Sequence, residues 1–393
     1  MTSCAAAAMM GRVHAGVVRE FVGPEDMRTA WPGLEELYRV AGCPVTARAQ
    51  WQEIWVRTHP DWEPWVIALE SADGSLSAAA PLSRKRQGPF VRVVGLGHGT
   101  SDDARLPVRS ATLAPALAEA VSRGLDALGR PWSLLVEQLP ADCPVADELT
   151  QLLSGARLRP GQGMPMVVVG PSRDPAHYLS RNARSAENKA RNRLRREDHA
   201  VTERWVSTPE DVAAAVDAMS AVHRARDAQL GRMSDHEEAA RASFYREVLV
   251  GHAASDALDL LLLDIDGELA AYVAAFRDGH ALRVWDNRLA PGRATFSAGR
   301  LANHAAVRRV LADPNLEVLD WMRGEEPYKL SSATTVVATR ELQAWSSPLA
   351  RAPYAAKEFL RPLRDRWAGL DRAVRCAGLN LGKRDTRLTG DGK

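Results

Sequence analysis

Two stretches of the chain share one pattern of apolar and polar positions. "WVIALESADGSLSAAAPLSR" (65–84) and "LLLLDIDGELAAYVAAFRDG" (260–279) each run as an apolar strand, a turn and an alanine-rich strand. Asp73-Gly74 and Asp266-Gly267 supply the residues that tolerate positive φ in a tight hairpin. The likeness continues. "GPFVRVVGLG" (88–97) and "GHALRVWDNR" (279–288) each begin at a glycine turn and carry Arg-Val at the centre of a third strand. A helix follows in both places. One is predicted over 112–129, with Leu113, Leu117, Ala120, Val121 and Leu125 on one face. The other is predicted over 297–313, with Leu301, Ala302, Ala305, Ala306 and Val310 together. Each helix leads to a further apolar strand, "WSLLVEQLP" (132–140) and "LEVLDWMRG" (316–324).

The unit of hairpin, third strand, helix and strand thus occurs twice, roughly 190 residues apart (88 against 279). That spacing indicates a duplicated domain, since solenoid periods are roughly 20–50 residues. Hairpins joined by a helical crossover imply a mixed, mostly antiparallel sheet flanked by helices, an α/β (α+β) class. Helical material precedes each unit, over about 25–58 and 174–250, and the turn residues of "GPSRDP" (170–175) mark the boundary. The expected division is an N-terminal domain over 1–169, a C-terminal domain over 170–350 and a basic helical extension over 351–393.

Composition narrows the class. The 393 residues are 46% hydrophobic and 25% charged, ordinary globular values. Net charge is +2, from 51 basic and 49 acidic residues, so any attraction to polyanions must be local. Cys4, Cys43, Cys143 and Cys376 form no CxxC pair and suit reduced thiols. The start, "MTSCAAAAMMGRVHAG", lacks the basic and apolar regions of a signal peptide, and "LDLLLLDI" is too short to cross a bilayer. A cytoplasmic protein without membrane partners is expected.

Candidate chemistry lies in four places. "LAPGRATFSAGRLANH" joins the third strand of the second unit to its helix, with Pro291 and Gly292 in the turn and Ser297 as expected N-cap. The amide end at Ser297, Ala298 and Gly299, with Arg300 beside it, suits a phosphate or pyrophosphate. It has neither the GK[ST] of a P-loop nor G-x-G-x-x-G. "VGLGHGTSDDARLP" (94–107) reads as a loop bordering a cleft, with Asp102 a candidate for gripping a cationic amine. "SRNARSAENKARNRLRREDH" (180–199) is an amphipathic helix. Leu179, Ala183, Ala186, Ala190 and Leu194 form its stripe; Arg181, Arg184, Arg191 and Arg195 line a face that is solvated or meets phosphates of a cofactor or RNA. No zinc-finger or helix-turn-helix pattern points to DNA, "HEEAA" (236–240) lacks the second histidine of a zinc helix, and no G-x-S-x-G is present. Fourth, "GEEPYK" (324–329) follows directly on the last apolar strand.

The basic helix, the "IDGELAAYVAAF" hairpin and above all "LDWMRGEEPYKLSSATT" resemble the CelD-like branch of the GNAT acyltransferases, which is related to the Fem aminoacyl ligases. The resemblance spans roughly residues 20–345, and its most specific block is Gly324, Glu325, Tyr328 and Lys329. It implies two tandem GNAT-like domains. The second would bind acyl-CoA (acetyl-CoA) as co-substrate, with no metal, and the first would shape the cleft. It implies that residues leaving the strand after the cofactor-binding helix face donor and acceptor. Acyl transfer to an amine needs a proton acceptor, an oxyanion stabiliser and a proton for the leaving thiolate. Glu325 or Glu326, Lys329 and Tyr328 match these in turn; Lys329 is also suited to a donor phosphate. His223 falls where the family often has a histidine beside the substrate. Trp285 and Asp286 end a strand that splays to admit the thioester, so Asp286 is expected to contact the acceptor. The expectation is direct attack by a small-molecule amine, with no acyl-enzyme. The alternatives are an aminoacyl-tRNA-dependent transferase of the Fem type and a non-catalytic scaffold or ligand sensor that keeps the fold.

Overall fold

A computed structural model describes residues 17–352. The alanine-rich start with Cys4, Cys376 and all but the first two residues of the expected extension lie outside the described residues.

The first unit runs β1 (Val17–Val22), α1 (Gly23–Val40), α2 (Ala49–Thr58), β2 (Glu63–Glu70), β3 (Leu76–Gln87), β4 (Phe90–Gly95), α3 (Ala114–Ala127), β5 (Trp132–Pro140), α4 (Pro144–Leu152) and β6 (Arg157–Pro160). The second runs β7 (Met164–Val168), α5 (Arg181–Arg196), β8 (Val201–Val206), α6 (Pro209–Gln229), α7 (Ala239–Ala254), β9 (Leu258–Ile265), β10 (Glu268–Asp278), β11 (Ala281–Leu289), α8 (Ala298–Ala312), β12 (Val318–Asp320), α9 (Pro327–Leu330), β13 (Thr335–Val337) and β14 (Thr339–Trp345). The repeated hairpin, third strand, helix and strand are therefore β2–β5 with α3, and β9–β12 with α8. Every position of both predicted apolar stripes is buried.

Each unit builds a seven-stranded sheet, ordered β1-β2-β3-β4-β5-β14-β6 and β13-β7-β12-β11-β10-β9-β8. Each has one parallel pair, β4 with β5 and β11 with β12, whose strands are joined by a crossover through α3 and α8 respectively. Strands cross the expected boundary at 169/170. β7 precedes it yet pairs with β12, and β14 follows it by 170 residues yet enters the first sheet between β5 and β6.

The layers follow from the alternating faces of the central strands. Helices α1, α2, α6 and α7 share one core between the two sheets. Outside it, α3 and α4 cover the far face of the first sheet, and α8 with the apolar stripe of α5 covers that of the second. Alanines at 270, 271, 274 and 275 let helices approach β10 from both sides. Trp51 of α2 meets Phe244, Phe276 and Trp285 edge-to-face at 5.3, 5.5 and 5.1 Å, so a first-unit side chain is locked into the second unit.

Three local expectations are corrected. The 266–267 turn has positive φ at both residues, but at 73–74 only Gly74 does, within a longer loop closed by Gly74 N–H to Ser71. The stretch 174–250 is broken by β8, an edge strand whose outer residues are exposed and so leave little apolar signal. Ser297 stands at the N-cap of α8, but in a left-handed conformation whose hydroxyl makes no cap bond.

Candidate active site

The second sheet opens where β11 and β12 part. They pair from Ala281 and Val318 to Arg283 and Asp320. Beyond that, β11 continues to Leu289, while the other chain leans onto the β7 side through Trp321 N–H to Pro165 O and Gly324 N–H to Gly163 O. Two features drive the separation. Trp285 is a bulge, since Val284 and Asp286 pair with the adjacent Ala275 and Ala274. Gly324 turns at φ +103°, and a Cβ there would stand 2.7 Å from the Glu326 carboxylate. Pro327 at the first helical turn then starts α9, so "PYKL" is a helical turn beside the opening.

The opening is the mouth of a cleft of about 250 Å³. From β11 come Val284, Trp285, Asp286, Asn287 and Arg288; from the opposing chain, Trp321, Arg323, Glu326, Tyr328 and Lys329. The α6–α7 region adds His223, Asp235, His236, Arg241, Phe244 and Tyr245, and the first unit closes it with Gly99, Thr100 and Asp102. The structure thus brings together seven of the predicted residues: Asp102, His223, Trp285, Asp286, Glu326, Tyr328 and Lys329. Glu325 is not among them. Adjacent residues of extended chain point oppositely, and its carboxylate lies over Gly163. The 297–300 turn does not line the cleft either. It sits at the end of β11, where Leu289 packs against Gly299.

Lys329 is 7% exposed. Its Nζ pairs with Glu326 at 3.1 Å and donates to the Arg323 carbonyl. Tyr328 reaches across the opening and donates to Asn287 Oδ1 at 3.1 Å, and Asn287 donates to Asn303 of α8 at 2.8 Å. Burial pushes the Tyr328 hydroxyl up to about 12, so it stays protonated. Trp285 Nε1 donates to Thr100 O at 3.1 Å, holding the bulge to the first unit.

A polar network forms the floor. Tyr245 and Tyr272 donate to Asp286 Oδ2 at 2.9 and 2.7 Å, and Arg288 pairs with Oδ1 at 2.9 Å. Burial opposes the Asp286 charge, but Arg288 and the phenols outweigh it and its pKa is lowered. Both Asp286 oxygens thus have partners within the protein, and the residue lines the cleft. Arg288 also donates to His223 Nε2 at 3.0 Å, which makes that nitrogen an acceptor; Nδ1 faces Asp227 and Ser234 at 3.0 and 2.9 Å. His223 is therefore a neutral ring with its proton on Nδ1, and burial lowers its pKa. Asp102 pairs with Arg323 Nε at 2.7 Å through Oδ1, and burial raises its carboxyl to about 6.

Sequence reasoning missed Arg288, Tyr245 and His236. Asp286 and Arg288 stand two apart on one strand, a spacing that puts opposite charges on one face. In the sequence His236 stands only as half of an absent zinc motif. It arrives on a short turn, Asp235–Glu237, that no periodicity marks. Cys43 and Cys143 are buried, and burial raises both thiols, Cys43 to about 11. The described residues contain no group able to hold a metal ion and no helix long and apolar enough to cross a membrane.

Residues 181–330, from α5 through α9, match the family described as "Acetyltransferase (GNAT) domain". No curated protein matches the chain in sequence. FemX is similar in structure, with a TM-score of 0.53 at 9% identity over 78% of this chain and 94% of its own. The C-terminal domain of a putative lysylphosphatidylglycerol synthetase from Agrobacterium fabrum is similar with a TM-score of 0.51 at 12% identity, over 85% of this chain and 97% of its own. At such identities the likeness speaks for the fold alone. Residues 181–330 thus carry the match to an acetyltransferase (GNAT) domain, within a chain of two mixed seven-stranded sheets whose preceding unit follows the same plan.

Proposed function

We propose that the protein moves an acyl group from an acyl-CoA thioester to the amine of a small molecule by direct attack. The observation that carries this reading is the opening between β11 and β12, with Lys329 and Tyr328 on one rim and the Trp285 bulge on the other. A thioester placed there has a buried ammonium at hand for the oxyanion that forms as its carbonyl is attacked. It also has a protonated phenol for the leaving sulfur. Asp102 leaves Oδ2 without a partner among the described residues, which suits a cationic acceptor. The buried, high-pKa cysteines support transfer without an acyl-enzyme.

The donor's anionic carrier fits the first turn of α8. That turn has no side-chain cap and no acid, and Arg300 stands exposed beside it. A Fem-type reading draws on α5, where Arg181, Arg184 and Lys189 are exposed and have no partner among the described residues. Titration calorimetry separates the two. Acetyl-CoA is expected to bind, and Arg300→Ala to weaken it roughly fivefold, on the order of 1 kcal/mol. Bulk tRNA binding that falls steeply with salt, with no heat from acetyl-CoA, would replace this reading with the Fem-type one.

A further inference from the structure

We infer that His236 accepts the proton from the attacking amine, an inference that rests on the acyltransferase reading above. Hydrogen-bond bookkeeping in the cleft leads to it. Asp286 is held by two phenols and Arg288, and His223 uses both ring nitrogens. Asp102 pairs with Arg323, Asp235 with Arg241 at 2.6 Å, and Glu326 with Lys329. Of the two imidazoles lining the cleft, His236 alone keeps a ring nitrogen with no partner among the described residues. Its Nδ1 lies 3.0 Å from Ser220 Oγ. With hydrogen on Nδ1 donated to that hydroxyl, Nε2 carries a free lone pair.

The ring is also fixed in place. It stacks on His223 at 4.1 Å and meets the face of Tyr245 edge-on at 4.3 Å, and Tyr245 in turn stacks on Trp285 of the bulge at 5.2 Å. It is 8% exposed. The groups around it are His223 and Arg224 from α6, Tyr245 from α7, Asp286 and Arg288 from β11, and its neighbour Asp235. Burial pushes its pKa down to about 4, so the imidazole is uncharged and able to accept at neutral pH.

The step balances without another reactant. The lone pair of a neutral amine forms a C–N bond to the thioester carbonyl carbon, and the carbonyl π pair moves to oxygen beside Lys329. One N–H proton passes to His236 Nε2. The C=O re-forms as the C–S bond breaks with its electron pair on sulfur. The thiolate takes a proton from Tyr328, and His236 releases its own to solvent, from which the phenolate is reprotonated. Ser220 is a positioning residue in this scheme.

The test uses the full chain, acetyl-CoA as donor, hydroxylamine as acceptor and single-turnover release of CoA thiol. His236→Gln is expected to lower the rate constant about 100-fold and to leave the Kd for acetyl-CoA within twofold. Once rates are divided by the fraction of hydroxylamine that is unprotonated, the wild-type rate is expected to fall at low pH as the imidazole protonates, and that limb to vanish in His236→Gln. Ser220→Ala, which keeps the ring, is expected to lose about tenfold. A His236→Gln rate within threefold of wild type, or an unchanged acid limb, overturns the assignment. Acetyl-CoA binding without thiol release from the wild type also overturns it, while leaving the donor site standing. Absence of acetyl-CoA binding to the wild type removes the acyltransferase reading, and His236 falls with it. If His236→Gln does not fold, the wild-type limb and Ser220→Ala decide.

Discussion

Lys329→Met is expected to lower the rate of CoA thiol release by about 100- to 1000-fold, the usual loss when one oxyanion donor is removed. Methionine keeps the buried stem, so the change isolates the charge. The expectation rests on where the ammonium sits. Pro327 and Gly324 aim the α9 turn into the opening, burial keeps Nζ from bulk water, and the Arg323 carbonyl and Glu326 hold it in one place. An ion so enclosed acts through a low local dielectric and needs no reorganisation as charge grows on the thioester oxygen. The Kd for acetyl-CoA should change less than threefold, since Lys329 is assigned to developing charge and not to the carrier. Turnover that survives essentially intact would show that Lys329 is structural. A wild type that binds acetyl-CoA but never turns over would favour the scaffold or sensor alternative.

Asp286→Ala is expected to be the most destabilising change at the cleft, by about 3–5 kcal/mol in urea unfolding. The carboxylate holds three donors at once, and its loss orphans the buried Tyr245 and Tyr272 hydroxyls and leaves Arg288 without its ion-pair partner. Arg288 cannot absorb this, because its Nε is already buried without a partner. Adding Arg288→Met to Asp286→Ala should recover part of the loss, as removing both ions of a buried pair costs far less than removing one. A single-variant loss under about 1 kcal/mol would mean that the network is wetter and looser than its distances imply.

The duplicated unit was legible because hairpins, glycine turns and helical stripes are local signals. The strand exchange was not. β14 pairs with β5 across some 200 residues, and nothing in "TRELQAW" names that partner. The exposed edges β1 and β8 likewise lack a buried face to betray them. At the cleft, "GEEPYK" supplies one rim, but sequence order could not tell the inward Glu326 from the outward Glu325. The three donors to Asp286 were not legible, because they come from β10, β11 and α7, which only the fold assembles. His236 was invisible for the same reason: its meaning comes from His223, Tyr245 and Ser220 on the flanking helices.

The account stands on the acyl donor entering between β11 and β12, and a crystal structure of the protein with acetyl-CoA tests that most directly. The thioester carbonyl is predicted to lie between the Trp285 bulge and Lys329, with the pyrophosphate at the first turn of α8 beside Arg300. Acetyl-CoA bound elsewhere, with Tyr328 still closing the opening onto Asn287, would contradict it.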